Sequence, residues 1–165
     1  MFLNKKVLII LFSILALLFI SQAKTVFAQE EAVYLPVEKT LPTSSAYPFK
    51  RLWEKVRLTL TLTQKGKLDY KKLLLERRLS ELVTLVNNGD TENIERASQR
   101  FAYQAGIYAE QVQKNNHSTE EALETFGKYA RIFPRLRDHY PANGTYWLSI
   151  QQDLDTLNIL SEKLK

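Results

Sequence analysis

From Tyr47 onward, apolar residues recur at steps of three and four positions, which is the period of an α-helix. The clearest stretch is residues 67–87, where leucine and valine follow one another at spacings typical of a helix-packing seam: Leu68, Leu75, Leu79, Leu82 and Val86. Turn-forming residues separate this stripe from similar ones on either side, and Asn87-Asn88-Gly89 is predicted to end it. The pattern predicts an all-α fold, an antiparallel bundle of four to five helices over residues 47–165.

The first helix is predicted to begin at Tyr47, because Pro48 suits a first turn where no backbone N–H bond is lost. We expect its apolar stripe to face the bundle, as in most amphipathic helices. The stripe consists of Phe49, Leu52, Trp53, Val56 and Leu60. Leucine and threonine alternate over residues 58–63, but a single strand would have no partner, so we interpret this segment as helical. Gly66 is predicted to mark the break before the second helix.

The fourth helix has two local signals at its ends. Ser118 and Glu121 are predicted to form a capping box at its start, with each side chain satisfying a free backbone N–H. Pro134 lies inside the apolar pattern and should kink the helix or end it near Phe133, because proline removes a backbone hydrogen bond.

Residues 1–28 have the layout of an export signal, with Lys5 and Lys6 ahead of an uncharged apolar run over residues 7–20. The run is short for a spanning helix, which needs about 20 residues. We therefore predict a signal peptide cleaved after Ala28, with an uncleaved membrane anchor as the alternative. In both cases the body of the protein is expected to be secreted or to lie on the extracytoplasmic face of the membrane.

Residues 29–46 contain two prolines and no sustained periodicity, which predicts a linker ahead of the helical domain. The chain has no cysteine, so packing rather than disulfides must stabilise it, and thiol chemistry is excluded. Residues 1–28 hold three of the 23 basic residues and none of the 18 acidic ones, so removing them lowers the formal charge from +5 to +2. A charge this small gives little support to nucleic-acid binding, and no nucleic-acid partner is expected.

The densest group of charged residues spans the first two predicted helices: Lys50, Glu54, Arg57, Glu76, Arg77, Arg78 and Glu81. Glu54 and Arg57 are three positions apart, so they share a helix face, and the same holds for Arg78 and Glu81. One interpretation is a site for an acidic ligand or partner, since arginine is a two-pronged donor. The interpretation that we favour is an interhelical ion-pair network beside a core that contains Trp53.

Other residues that could carry chemistry are sparse. His117 and His139 have no second histidine at helical spacing, so the sequence predicts no metal site. It contains no glycine-rich phosphate loop, G-x-S-x-G turn or zinc-protease helix, so no cofactor and no catalytic residue are predicted. Aromatic residues are more frequent, and five tyrosines could line a groove for a glycan or peptide, although such residues often straddle core and water. They are Tyr103, Tyr108, Tyr129, Tyr140 and Tyr146.

Residues 41–85 carry a longer pattern, LP-x-S-x-x-Y-x-x-K-x-x-x-E-x-x-x-L followed by E-R-R-L-x-E. The matching residues are Leu41, Pro42, Ser44, Tyr47, Lys50, Glu54, Leu58, Glu76, Arg77, Arg78, Leu79 and Glu81. This stretch resembles an uncharacterised family of bacterial extracytoplasmic helical domains. Its members have an export signal or single membrane segment before the domain, and some resemble the outer region of anti-sigma-factor-like membrane proteins.

The resemblance implies that five residues act as one structural unit that fixes the first helix on the second: Tyr47, Lys50, Glu54, Arg78 and Glu81. Tyr47 would hold the point at which the chain enters the bundle. Only residues 1–6 precede the apolar run, so we do not expect this chain to hold a sigma factor in the cytoplasm.

Together these features favour a non-enzymatic, exported helical-bundle domain that serves as an interaction or structural module at the cell envelope. Its partner would be a protein there, and it would touch the membrane only through an uncleaved N-terminal segment. The alternatives are an extracytoplasmic sensor or chaperone-like binder with an aromatic groove, and an enzyme without a recognisable motif. An exposed apolar patch would favour the first hypothesis, a concave apolar pocket the second, and displaced pKa values within a pocket the third.

Overall fold

The computed structural model describes residues 35, 38, 40–115 and 118–165, and the predicted signal at residues 1–28 lies outside them. The described residues form helices and connecting turns, with no strand among them, which confirms the all-α prediction. The helices are α1 (Tyr47–Leu60), α2 (Gln64–Asn87), α3 (Thr91–Lys114), α4 (Thr119–Ala130), α5 (Phe133–Arg137) and α6 (Thr145–Leu164). None of them is both long and apolar enough to cross a bilayer.

Five of these helices, α2 to α6, pack against one another as the predicted bundle. α3 packs along α2, α4 and α6, and α6 also packs against α4 and α5. Their apolar stripes meet in one core that includes Leu75, Leu79 and Leu82 from α2, Ile94, Phe101 and Tyr108 from α3, Phe126 from α4, Phe133 and Leu136 from α5, and Ile150 and Leu157 from α6. Each fully buried side chain of this size contributes about 1.5–3 kcal/mol, so the core accounts for the association of these helices.

The α2–α3 turn follows the sequence prediction closely. α2 ends at Asn87, and Gly89 adopts a positive φ of 68°. This left-handed conformation strains side chains other than glycine and commonly ends a helix. The short turn returns the chain along α2, so α2 and α3 are antiparallel neighbours.

Gly66 lies inside the first turn of α2 rather than between two helices, so the prediction that it marks the break is wrong. Thr63 is the N-cap residue of α2, and its hydroxyl accepts a hydrogen bond of 3.1 Å from the Gly66 N–H. A Cβ atom on Gly66 would lie 2.8 Å from that hydroxyl oxygen and 2.9 Å from the methyl carbon of Thr61. Glycine is therefore needed for the cap to close.

The start of α4 also differs from the prediction, while its end agrees with it. Ser118 occupies the N-cap position but makes no side-chain cap hydrogen bond, so the predicted capping box is wrong. The Glu121 carboxylate instead accepts a 2.7 Å hydrogen bond from Lys72 of α2. At the other end, α4 stops at Ala130 and Pro134 lies in the first turn of α5, where proline loses no helical hydrogen bond.

α1 lies outside the closely packed helix pairs of the described chain, and its apolar stripe faces away from the bundle. Phe49 is 76% exposed, Trp53 is 68% exposed and Leu60 is 70% exposed. The two buried residues of α1 are Tyr47 and Glu54. The prediction that the stripe packs on the bundle is therefore wrong, and the reason lies in the polar side of the helix.

Candidate functional site

A buried group of charged side chains joins α1 to α2, with Arg78 of α2 at its centre. One terminal nitrogen of the Arg78 guanidinium donates to the Glu54 carboxylate on α1, and the other donates to Glu81, one turn further along α2. All three side chains are buried, with Arg78 only 1% exposed. Because an unpaired charge is very costly to bury, these contacts hold Glu54, and with it α1, against α2.

Tyr47 and Lys50 complete the group from the start of α1. The Tyr47 hydroxyl donates to one oxygen of Glu81 at 3.1 Å, and the Lys50 ammonium donates to the other at 2.8 Å. Burial, reinforced by the Glu81 carboxylate, raises the pKa of Tyr47, so its hydroxyl keeps the proton that it donates. The structure thus brings together all five residues of the predicted unit, here called the α1–α2 charge cluster: Tyr47, Lys50, Glu54, Arg78 and Glu81.

The charge cluster has further partners, which the five-residue unit predicted from the sequence did not include. Glu38, in the predicted linker, accepts a 2.6 Å hydrogen bond from Lys50 and lies 3.7 Å from Arg77. Arg51 donates to Glu54 at 3.0 Å. Arg51 could have been found from its position three residues before Glu54, whereas no periodicity points to Glu38.

Two more contacts stabilise this region: one joins the cluster to α3, and the other joins the predicted linker to the core. The guanidinium of Arg100 on α3 lies 5.0 Å from the centre of the Tyr47 ring, within the range of a cation–π interaction. In the predicted linker, Leu35 and Leu41 pack against the hydrophobic core. The described positions of residues 29–46 therefore lie against the helical domain, although the linker boundaries stay a prediction.

Several expected features of this region are not formed. Arg57 does not pair with Glu54 but stacks over the Tyr70 ring, 4.9 Å from its centre. Glu76 lies apart from the cluster, beside a polar cleft that it shares with Lys72 and Glu121. The core expected beside Trp53 is absent because Trp53 is exposed. Both terminal nitrogens of Arg78 are engaged by carboxylates, which leaves them unavailable to an acidic ligand.

The exposed side of α1 is the second part of the site. Five side chains form what is called here the α1 apolar face: Phe49, Leu52, Trp53, Val56 and Leu60. By helical periodicity this face lies opposite Tyr47 and Glu54. The charge cluster therefore holds α1 by its polar side and leaves the apolar side in contact with solvent.

The five tyrosines expected at a groove do not share one. Tyr108 and Tyr129 are buried in the core, and burial raises the pKa of Tyr108 to about 12. Tyr140 and Tyr146 pack against each other with ring centres 5.4 Å apart, while Tyr103 is 69% exposed on α3. Their positions favour structural roles for most of them.

Of the two histidines, His139 donates a 2.7 Å hydrogen bond from Nδ1 to the carbonyl oxygen of Arg135, and His117 lies outside the described residues. Among residues 35, 38, 40–115 and 118–165, no group of three or more side chains is arranged to hold a metal ion.

A buried carboxylate on α6 was missed by the sequence analysis. Asp153 is fully buried, and no hydrogen-bond partner for either of its oxygens occurs in the described part of the chain. The nearby Ser98 hydroxyl donates instead to the Ser149 carbonyl at 3.1 Å. Burial raises the pKa of Asp153 to about 8. Its position three residues after Ile150 and four before Leu157, on the buried side of α6, was the available signal.

The region that contains α1 and α2 matches a known protein family. The sequence profile of a domain of unknown function, DUF5667, matches residues 39–137. The chain belongs to the DUF5667 family. No curated protein and no solved structure matches it. The DUF5667 match covers the end of the predicted linker and α1 to α5, so it contains the whole α1–α2 charge cluster and the α1 apolar face.

Proposed function

We propose that this DUF5667 protein is a non-enzymatic interaction module of the cell envelope, and that α1 presents its binding surface. The observation that carries the proposal is the exposure of the α1 apolar face, where Phe49, Trp53 and Leu60 are each more than two-thirds exposed. Contiguous exposed apolar residues are typical of interaction sites, because soluble proteins otherwise keep such patches small.

The α1–α2 charge cluster supports this role because it fixes the orientation of the helix. An amphipathic helix free to rotate would bury its apolar side, with each large side chain contributing about 1.5–3 kcal/mol. Here Arg78 binds Glu54 and Glu81, and Tyr47 and Lys50 also bind Glu81. Turning the apolar side inward would break the contacts that Tyr47, Lys50 and Glu54 make with α2. Arg78 and Glu81 would then stay buried with fewer partners, which is unfavourable.

The envelope location is proposed from the sequence. Residues 1–28 have the order of an export signal, with lysines, then an apolar run, then short side chains at the cleavage position. The protein would be secreted if cleavage follows Ala28, or held on the outer face of the membrane if the segment is kept. The family resemblance to extracytoplasmic domains supports the same location.

A non-enzymatic role is proposed because both buried carboxylates of the site are already paired with basic side chains. The carboxylates of Glu54 and Glu81 are buried and bound to Arg78, so they serve to attach α1. The buried acid Asp153 lies in the core on α6 and is not part of this site.

Site-specific photo-crosslinking in the protein's own cells tests the proposal. A photoreactive amino acid replaces Leu52 on the α1 apolar face or, as the matched control, Tyr103, which is similarly exposed on α3. We expect crosslinked adducts from position 52, recovered in the envelope fraction, and few from position 103. Equal yields at the two positions, or no adduct at position 52, would contradict the proposal.

A further inference from the structure

We propose that the partner of the α1 apolar face is an anionic lipid bilayer, on which α1 lies in the plane of the membrane with this face inserted. The inference rests on the proposed function and names the partner of that same surface. It departs from the expectation that only the N-terminal segment touches the membrane.

The charges around the α1 apolar face select an anionic partner. Lys55 and Arg57 are exposed and lie on the two sides of the stripe by helical periodicity, with the Arg57 guanidinium stacked over the Tyr70 ring. Arg51 is partly exposed and pairs with Glu54. The one acidic residue of α1, Glu54, is buried in the charge cluster. The accessible surface of α1 therefore carries charges of one sign. A second copy of the chain facing it through α1 would place cations against cations, which is unfavourable, whereas an anionic bilayer attracts them.

The side chains match those of helices that bind at a membrane interface. Such helices carry tryptophan, phenylalanine and leucine on the apolar side and lysine or arginine on the polar side. Their apolar side is buried about 5–10 Å into the membrane interface. The α1 apolar face has Phe49, Trp53 and Leu60 in one row. The exposed side of a single helix is convex. A convex apolar surface can insert between lipid headgroups, whereas a concave groove could not bind a flat bilayer in this way.

The position of α1 in the chain agrees with this partner. Lys5 and Lys6 and the apolar run over residues 7–20 precede α1, and residues 21–46 connect the two. If residues 7–20 remain in the membrane, a connection of this length keeps α1 within reach of the bilayer surface, since an extended chain spans at most about 3.3–3.6 Å per residue. The tether would raise the effective concentration of α1 at the membrane.

The two tryptophans of the chain allow a site-specific test on the full protein. In the Trp147→Phe variant, Trp53 is the one remaining tryptophan. The full chain is reconstituted into vesicles of phosphatidylcholine, or of equal parts phosphatidylcholine and phosphatidylglycerol, with brominated acyl chains as quenchers. We expect Trp53 emission to shift to shorter wavelength and to be quenched in the anionic vesicles. The matched Trp53→Phe variant, which reports from the half-buried Trp147, should show neither change.

A second variant tests the role of charge. Lys55→Gln should lower the ratio of inserted to free Trp53 about fivefold, which corresponds to the ~1 kcal/mol that a basic side chain contributes near an anionic surface. Equal quenching of Trp53 in neutral and anionic vesicles would overturn the proposed anionic specificity. A blue shift that grows with protein concentration without lipid would overturn the inference in favour of a second copy.

The inference and the proposed function fail in different ways. If bromine does not quench Trp53 in either vesicle type, the lipid inference is overturned. If position 52 then still crosslinks to an envelope protein, the proposed function stands with a protein as partner. If bromine does not quench Trp53 and position 52 also gives no adduct, both the lipid inference and the proposed function are overturned.

Discussion

α1 and α3 are both amphipathic helices, yet they attach to the molecule by opposite sides. α3 buries its apolar residues almost completely, including Ile94, Phe101 and Tyr108. α1 buries Tyr47 and Glu54 and exposes its apolar face. The difference shows that an apolar stripe identifies a helix, while the partner surface decides which side of the helix faces inward.

The partner surfaces explain the difference. α3 meets apolar seams on α2 and α6, so burying its stripe removes apolar surface from water. α1 meets the side of α2 that carries Arg78 and Glu81. If apolar side chains covered these charges, Arg78 and Glu81 would stay buried but lose Glu54, Tyr47 and Lys50 as partners, so α1 turns its own polar side inward.

The largest effect is expected from Arg78→Ala, which removes the centre of the charge cluster and leaves Glu54 and Glu81 as buried carboxylates without it. Breaking a buried ion pair in this way costs about 3–5 kcal/mol. The neighbouring Arg77 is the matched control, because it is partly exposed and lies 3.7 Å from Glu54. Arg77→Ala should cost about 1 kcal/mol or less. Urea unfolding of both variants measures the difference, and equal costs would contradict a central role for Arg78.

A second pair of substitutions compares the two apolar stripes directly. Phe101 of α3 is fully buried, so Phe101→Ala should lower the free energy of unfolding by about 3–5 kcal/mol. Phe49 of α1 is mostly exposed, so Phe49→Ala should change it by about 0.5 kcal/mol or less. Thermal and urea unfolding report both values. A loss of several kcal/mol for Phe49→Ala would mean that the α1 apolar face is packed against something within the protein.

A smaller effect concerns Asp153, a buried carboxylate that lacks the pairing of the charge cluster. Its pKa is about 8 in the folded protein, against an ordinary value of 3.8. Between these pH values the folded state holds a proton that the unfolded state has lost, so stability falls as pH rises from about 4 to about 8 and then levels off. Asp153→Asn should remove this contribution and stabilise the protein at pH 8 by about 1–3 kcal/mol.

Urea unfolding of wild type and Asp153→Asn at pH 5, 7 and 9 checks this expectation, with the difference between the proteins growing toward alkaline pH. Asp155→Asn, two residues away on the exposed side of α6, is the control and should leave the pH dependence of the wild type in place. A constant difference across the pH range would show that Asp153 titrates near its ordinary pKa.

The sequence was sufficient to predict the all-α fold and the α2–α3 turn at Gly89, because the spacing of apolar residues and the turn residues mark both. The five residues that the structure brings together in the charge cluster were implied by the family resemblance of residues 41–85. The side of α1 that faces the bundle could not be predicted from the sequence of α1 alone, because it depends on the charged side chains of α2. Glu38 and Asp153 were missed because one lies in a segment without periodicity and the other among apolar residues of a seam.

The central claim is that α1 is held by its charges and not by its apolar side chains. Trp53 and Glu54 are adjacent in sequence, but Trp53 is exposed and Glu54 is buried, so alanine substitutions of the two, compared by urea unfolding, test it most directly. The account predicts that Glu54→Ala costs about 3–5 kcal/mol and that Trp53→Ala changes stability by about 0.5 kcal/mol or less. A larger loss for Trp53→Ala than for Glu54→Ala would contradict it.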